Sequence, residues 1–432
     1  MKKIYIFLLG SLMLTTACEN DLEQVPPNIA SADSLTDFDG VLNAAYFYQL
    51  GSVTPWAVMG DFRADNAKMI EEPYPSFDRF NGDLVDMEDQ FFGPFYTALY
   101  KSILSANNVI DNSENPTQVG EAKFLRALSY FKLVRVFGDV TVNLSPSPST
   151  TDASILARQS SNDVYNDVII PDLNDAISRL SNTASNGRAT RIAAQALLGK
   201  VYVHRGDFGN AEPLLQQVVS GAAGAGISLM SNFADIFVTD LNSEVIFATQ
   251  ISSSVPDEYG FSEFWSWSGG LDTKSDLPLD QSLVDAFDAS PGDLRRDVTI
   301  NTATMSSPKF PQSGGPDYDW IEIRLADVIL LYAEALNENS KTTQAIAELN
   351  KIRTRAGLAG TTATSRADVS QAIQDERRLE LAFEGHRWFD LTRTSTAQAE
   401  MGQSFDNQYY LFPVPISEVL VSSGVITQNA GY

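Results

Sequence analysis

The chain has 432 residues, and 44% of them are hydrophobic, which is ample for a large core and, on length alone, for two or three domains. Acidic residues outnumber basic ones by 55 to 30. The net charge of −25 argues against nucleic-acid binding, because such a surface repels phosphate backbones. The single cysteine, Cys18, excludes an intrachain disulfide and a zinc cluster. His204 and His386 follow no metal-binding pattern, so no histidine-based metal site is expected, and no cofactor is expected. The acidic loops leave a bound calcium ion as an open alternative, but no EF-hand-like spacing identifies a site.

The N-terminus has the features of a secretory signal peptide, with two lysines followed by an apolar run over residues 4–14 that is too short to span a bilayer. Small residues then precede Cys18. This order resembles a bacterial lipobox, whose cysteine is lipidated, although Thr15 stands where leucine is usual. We expect a signal peptide over residues 1–17 and a lipidated N-terminus with an extended tether over residues 18–31.

Apolar spacing and capping signals predict a mainly helical chain. Helices are expected at about 35–50, 91–111, 119–137, 162–180 and 282–287, and a short strand is expected at 245–248. For the C-terminal segment 409–432, the sequence predicts a short strand, a proline turn, a helix and a tail.

Two stretches carry a helix-pair signature. In residues 188–219, Leu198 and Gly199 followed by Tyr202 match the L-G-x-x-Y of a tetratricopeptide first helix. Residues 324–355 repeat this plan, with an apolar face on each helix. Such pairs cannot bury their apolar faces alone, so they must stack on other helices.

Two long parts of the chain, residues 51–90 and 221–320, are interrupted by proline and glycine and predict irregular loops. Their aromatic content argues against disorder. Sugar rings have apolar faces, so flat aromatic side chains beside polar groups can hold them, unless the same side chains form core. The candidate ligand-binding residues are Tyr259, Phe264, Trp265, Trp267, Tyr74, Phe77, Tyr318 and Trp320.

Charged and aromatic residues are densest in the segment 375–393. Helical spacing places Glu376, Glu380 and Glu384 on one face, and the cations available within the segment are Arg377, Arg378, Arg387 and Arg393. Two carboxylates would suffice for a glycoside hydrolase, but surrounding arginines would lower both pKa values and spoil a general acid. We therefore interpret the carboxylates as partners of the segment's own arginines that fasten the final helix to the repeats.

Seven stretches, in this order, resemble the SusD/RagB family of surface lipoproteins of Bacteroidetes. They are EAKFLRALSYFKLVRVFGDV (121–140), GRATRIAAQALLGKVYVHRGDF (187–208), NFADIFVTDLNSEVIFATQIS (232–252), IRLADVILLYAEALNE (323–338), ERRLELAFEGHRWFDLTR (376–393), LFPVPISEV (411–419) and QNAGY (428–432). Ala430 stands where the family often has proline.

The resemblance implies one mostly α domain over residues 32–432. Its tetratricopeptide-like helix pairs would form a right-handed superhelical scaffold, mainly residues 91–220 and 321–393. A loop-rich ligand-binding half with a few short strands would comprise mainly residues 51–90 and 221–320. It also implies a lipid anchor in the outer membrane at the cell surface, and a SusC-like TonB-dependent transporter as partner.

Three functional hypotheses follow. The first is a cell-surface glycan-binding lipoprotein that captures oligosaccharides or polysaccharides and delivers them to the transporter without catalysis. The second is a peptide-binding lipoprotein of the RagB kind. The third is a helical scaffold for protein partners. The sequence contains no G-x-S-x-G motif, P-loop or dinucleotide fingerprint, and the aromatic-rich loops favour the first hypothesis.

Overall fold

The computed structural model describes residues 38–70, 74–149, 152–183, 187–252, 254, 279–310 and 318–432. Residues 1–38 and 39–432 form separate units, and all helices and strands of the described residues lie in the second. None of the helices in these residues combines the length and the apolar character that crossing a bilayer requires.

Helices dominate the described residues. They are α1 Asp39–Tyr48, α2 Val53–Ala57, α3 Ser76–Arg79, α4 Gly93–Asn112, α5 Pro116–Phe137, α6 Ala153–Leu156, α7 Ser161–Val164, α8 Ile170–Arg179, α9 Arg191–His204, α10 Phe208–Gly221, α11 Gln281–Asp288, α12 Arg296–Thr299, α13 Leu325–Glu338, α14 Thr342–Arg355, α15 Arg366–Leu381, α16 Arg387–Arg393, α17 Ala397–Glu400 and α18 Ile416–Val421. Short 3-10 or π-helical segments are Gln49–Ser52, Val58–Phe62, Gly82–Met87, Glu88–Phe92, Tyr165–Ile169, Ala223–Ala225, Phe233–Phe237 and Asn407–Tyr410.

The ends of α5 show how local sequence sets a helix. The Asn115 side chain accepts a hydrogen bond from the Thr117 N–H at 3.0 Å, and Pro116 occupies the first helical position, where no donor is needed. Gly138 follows the last residue with φ +72°, a conformation that glycine adopts without strain. The predicted helix 119–137 is confirmed with three more residues at its start.

The long helices form a continuous stack. Helix α4 packs on α5, α5 on α8, α8 on α9, α9 on α10, α10 on α13, and α13 on both α14 and α15. The two predicted helix pairs, α9–α10 and α13–α14, are confirmed, and α10 and α13 join them. The fold is mostly helical and tetratricopeptide-like, as predicted.

Two small antiparallel sheets accompany the helices in the described residues. Strands β1 Val140–Thr141 and β2 Arg158–Gln159 form one; β3 Val245–Thr249 and β4 Trp320–Arg324 form the other. Strand β3 confirms the predicted strand, whereas β4 was not predicted. Strand β4 runs directly into α13, and both strands of this sheet contact α9.

The loop prediction for residues 51–90 is wrong over residues 53–62. Helix α2 and the π-helical segment after it are entirely buried. Pro55 does not interrupt α2, because it lies in the first turn, where backbone N–H groups have no helical partner. The predicted strand at the start of segment 409–432 is also wrong, since residues 407–410 form a 3-10 turn.

Gly199 allows α9 and α10 to approach each other. A Cβ at this position would lie 2.5 Å from Cδ2 of Leu215, which is fully buried. We expect Gly199→Val to lower the free energy of unfolding by about 1–3 kcal/mol, because the core must shift to admit the new atoms. Chemical denaturation measures this.

Gly221→Val is the matched control, since a Cβ on Gly221 at the end of α10 would meet nothing within 4 Å. Equal stability changes in the two variants would contradict the close packing of α9 on α10.

Candidate ligand-binding site

The segment 375–393 forms the end of α15, a tight turn and α16. Phe383 and Gly385 in the turn have φ of +65° and +75°. The carboxylate of Asp61 accepts the Phe383 N–H at 3.0 Å and the Gly385 N–H at 2.6 Å, and so fixes the turn. A Cβ on Gly60 would lie 2.4 Å from the Gly385 backbone, so this contact requires glycine. Burial raises the pKa of Asp61 to about 6, against the effect of its hydrogen bonds.

Glu376 and Glu380 lie on one face of α15, as their spacing predicted, whereas Glu384 lies in the turn after the helix. All three lie together in the interior, and their cations come from other parts of the chain. Arg324 donates to Glu380 at 2.5 Å and to Glu384 at 2.7 Å. The other contacts are Arg295 to Glu376 and Glu380, Arg353 to Glu376, Arg355 to Glu380, and Lys309 to Glu384. All three glutamates are at most 3% exposed.

The segment's own arginines contact other carboxylates. Arg377 binds Asp390 and Asp327, Arg393 binds Glu334 and Asp390, and Arg378 and Arg387 both bind Asp65. The predicted pairing within the segment is therefore wrong for the three glutamates and correct for Asp390. The physical reason is that a helix directs successive residues to different sides, so neighbours in sequence meet different partners.

Neither Glu380 nor Glu384 suits general acid chemistry. Burial opposes ionisation of Glu380, but Arg355, Arg324 and Arg295 outweigh it and hold its pKa well below the usual range. Arg324 and Lys309 likewise outweigh burial and lower the pKa of Glu384. Burial raises the pKa of Glu376 despite Arg295, whose Nη1 lies 2.7 Å from Oε1 without an aligned hydrogen bond. The cluster is a framework in which each charge has partners.

Three of the predicted ligand-binding aromatics lie in the protein interior. Phe77 is fully buried, Trp320 is 2% exposed and Tyr74 is 3% exposed. Phe77 packs edge-on against Phe91 with ring centroids 5.7 Å apart. These side chains offer no ring face to a ligand in this structure, because the surrounding protein covers them.

The other predicted residues are divided between the surface and the part of the chain that is not described. Tyr318 is partly exposed and lines a small depression beside Asp319. Tyr259, Phe264, Trp265, Trp267 and the lipidation site Cys18 lie outside the described residues. Within the described ranges, no three histidine, cysteine, aspartate or glutamate side chains come together as a metal site.

An open cleft of ≈ 290 Å³ lies between α1 and β3. Its lining residues are Asn43, Tyr46, Phe47, Gln49, Leu50, Arg188, Phe247, Ala248, Thr249 and Gln250. We call it the α1–β3 cleft. It combines partly exposed aromatic rings with amide and guanidinium groups, which is the composition of a site for a ligand with apolar faces and hydroxyl groups.

The polar side of the α1–β3 cleft is held by hydrogen bonds. Arg188 Nη2 donates to Asn43 Oδ1 at 2.8 Å, and the guanidinium lies over the Tyr46 ring, 4.8 Å from its centroid. The Tyr46 hydroxyl donates to Glu121 at 2.6 Å and accepts from the Ala189 N–H at 3.0 Å. These contacts fix the Tyr46 ring and the Arg188 side chain before any ligand binds.

The α1–β3 cleft is not among the sites predicted from the sequence. Asn43, Tyr46 and Phe47 have the spacing of one helical face, which was an available signal. Arg188 lies 145 residues from Asn43 in sequence, so only the packing of α9 against the rest of the fold could reveal their contact.

Glu384→Ala is expected to lower the free energy of unfolding by about 3–5 kcal/mol. The substitution removes a carboxylate that pairs with Arg324 and Lys309, and both cations stay buried. Ligand affinity of the folded fraction should stay unchanged. Denaturation followed by titration measures both quantities.

Asp288→Ala is the control, since the Asp288 side chain is 54% exposed in its pair with Arg296 and should contribute about 0–1 kcal/mol. Normal stability of Glu384→Ala with selective loss of binding would contradict the structural role.

The lowered pKa of His386 leads us to expect that the free energy of unfolding depends on pH. Burial and Lys200 lower its folded-state pKa from 6.5 to about 3, against the effect of Asp327. Between these two pH values the unfolded chain binds a proton that the folded chain does not. The free energy of unfolding therefore decreases as the pH is lowered, by up to about 1.4 kcal/mol per pH unit. His386→Gln should reduce this slope between pH 6 and 5, measured by denaturation at each pH.

His204 is also buried, and its pKa is lowered well below the usual value, so the variant should retain part of the slope. Identical slopes in the variant and the parent chain would show that His386 is protonated in the folded state.

Two family descriptions match the chain. "SusD family" matches residues 294–408, and "Starch-binding associating with outer membrane" matches residues 19–203. The two matches together cover more than half of the chain. They include the second predicted helix pair and, of the first pair, helix α9 up to residue 203.

Whole proteins are similar as well. A SusD-like protein P2 of Formosa agariphila is 26% identical over an alignment that covers 100% of both chains. The solved structure of a laminarin binding SusD-like protein has a TM-score of 0.73 at 24% identity, covering 92% of this chain and 99% of that one. Surface glycan-binding protein A from Bacteroides fluxus has a TM-score of 0.76 at 21% identity, covering 91% and 99%. The family matches, the full-length relative and the shared fold agree, and the chain belongs to the SusD family.

Proposed function

We propose that this protein is a cell-surface lipoprotein that captures oligosaccharides and delivers them to a SusC-like TonB-dependent transporter without catalysing a reaction. The observation that carries the proposal is the similarity over nearly the whole chain to proteins whose names specify laminarin or surface glycan, together with the match of residues 19–203 to a family described as starch-binding.

Attachment to the outer membrane is supported at the N-terminus. The lipobox-like order before Cys18 would leave this cysteine as the first residue of the mature chain. The match to the starch-binding, outer-membrane family begins at residue 19, directly after it. Acyl chains contribute about 0.8 kcal/mol per buried methylene, so several chains give stable anchoring.

Binding without catalysis is supported by the charged segment. Glu380 and Glu384 are the carboxylates that the sequence suggests for hydrolysis. Both are buried and form ion pairs with Arg324 and other cations. A group with a depressed pKa in the interior can neither reach a substrate nor donate a proton to it at neutral pH.

Tyr259, Phe264, Trp265 and Trp267 remain the proposed stacking residues for the glycan. The chain enters their segment directly after Thr249 and Gln250, which line the α1–β3 cleft. Tyr318 is kept as a secondary candidate because part of its surface is exposed.

We expect Trp265→Ala and Trp267→Ala each to weaken glycan binding by about 30-fold, since large aromatic anchors contribute about 2 kcal/mol or more. Calorimetric titration of the purified mature chain with laminarin, soluble starch and a peptide panel measures this. Tyr202→Ala, on the partly exposed face of α9, is an aromatic control that should bind normally.

Peptide binding without glycan binding would replace the proposal by the peptide-uptake alternative. Glycan binding that both tryptophan variants retain would leave the function in place and remove these residues from the site.

A further inference from the structure

We propose that the α1–β3 cleft is a binding subsite for a neutral sugar unit, in which the Tyr46 and Phe47 rings form the apolar wall and Arg188 and Asn43 form the polar wall. This inference rests on the proposed glycan-binding function. It assigns a site to described residues that none of the sequence-based candidates includes.

Arg188 is oriented but has unused donors. One Nη2 hydrogen is bound by Asn43, while Nη1 is buried 3.4 Å from Glu121 and has no hydrogen bond to any described residue. The side chain is 28% exposed. A guanidinium presents five donors in a fixed plane, so a ligand hydroxyl in the cleft can accept a hydrogen bond from the exposed part of this side chain.

Tyr46 provides a rigid ring. Its hydroxyl is held by Glu121 and by the backbone of Ala189, and its ring lies 6.4 Å from that of Phe247 between centroids. An aromatic side chain held in this way loses little conformational entropy when a ligand covers it, so the contact energy is retained as affinity.

Gln49 forms part of the wall of the cleft and has a fixed orientation. Its Nε2 donates to Ser102 Oγ at 2.9 Å and to Ser129 Oγ at 2.7 Å. Both hydroxyls already donate to backbone carbonyls, of Ala45 and Leu125, so they can only accept from Gln49. The amide orientation is thereby fixed, and Oε1 is left buried with no hydrogen bond to a described residue. Because Oε1 is not accessible from the cleft, Gln49 contributes a rigid wall and not a direct contact to a ligand.

The charges around the cleft favour a neutral ligand over an acidic one. Glu121 lies beside Arg188 and offsets its positive charge. Asp39, at the start of α1, is held by Gln118 of α5, the helix that carries Glu121. A uronate would bring a further negative charge to these carboxylates on a protein whose net charge is −25.

The cleft has the size of a small-ligand subsite. Its volume of ≈ 290 Å³ lies near the lower end of the range for ligand pockets, about 300–1,000 Å³. It is open to solvent, so a longer glycan can place one unit in the cleft and continue outside it.

The test is calorimetric titration of the purified mature chain with two neutral glycans, laminarin and soluble starch, and one acidic glycan, alginate. Arg188→Met removes the polar anchor and keeps the length of the side chain. Asn43→Trp fills the mouth from an exposed helical position, which the fold should tolerate. Arg191→Met, three residues from Arg188 at the exposed start of α9, is the matched control.

We expect Arg188→Met and Asn43→Trp to weaken binding of the neutral glycan at least about tenfold, and Arg191→Met to bind like the parent chain. Thermal melts establish that each variant is folded.

Full affinity in both cleft variants, with loss in Trp265→Ala, would overturn the subsite and leave the proposed function intact. Tighter binding of alginate that depends on Arg188 would overturn the neutral-sugar assignment. A parent chain that binds no glycan of the panel would overturn the proposed function and this subsite with it.

Discussion

The structure depends on the complete pairing of charges buried around Arg324. This side chain is 1% exposed and contacts Glu244, Glu380 and Glu384, which lie before β3, in α15 and in the turn after α15. A buried charge without a partner costs several kcal/mol, so these elements can pack only in the arrangement that brings all partners together. The network therefore specifies how the small sheet, the second helix pair and the final helices fit to one another.

Strand β4 connects this network of buried charges to the first half of the chain. Arg324 ends the strand, and Glu322 in the same strand accepts from Lys132 of α5 at 2.5 Å. On the other side of the network, Asp61 fixes the turn before α16, and Trp56 stacks on Phe389 with ring centroids 4.2 Å apart. The part of the chain that is least regular in sequence is thus fastened to the helical stack by buried polar and aromatic contacts.

The densest group of charges and the α1–β3 cleft are separated in this molecule. The densest group of ionisable residues is interior and has no access to a ligand, whereas the open α1–β3 cleft contains rings, amides and the single guanidinium of Arg188 among its lining residues. The separation has a physical reason. Charges that hold a fold must be desolvated and mutually paired, while groups that bind sugars must keep donors, acceptors and ring faces available to solvent.

The helical class, the two helix pairs and strand β3 could be predicted from the sequence, because helical periodicity, capping residues and an apolar run are local properties that persist after packing. The sequence also placed Glu376 and Glu380 on one face of α15, whereas Glu384 lies in the turn after this helix. Tertiary structure decided which cations meet them, since Arg295, Arg324 and Arg355 come from distant elements. It likewise decided that Phe77 and Trp320 are core, that residues 53–62 are helical, and that Arg188 and Asn43 form one wall of a cleft. Burial and long-range contact depend on how elements pack, and one-dimensional spacing does not contain that information.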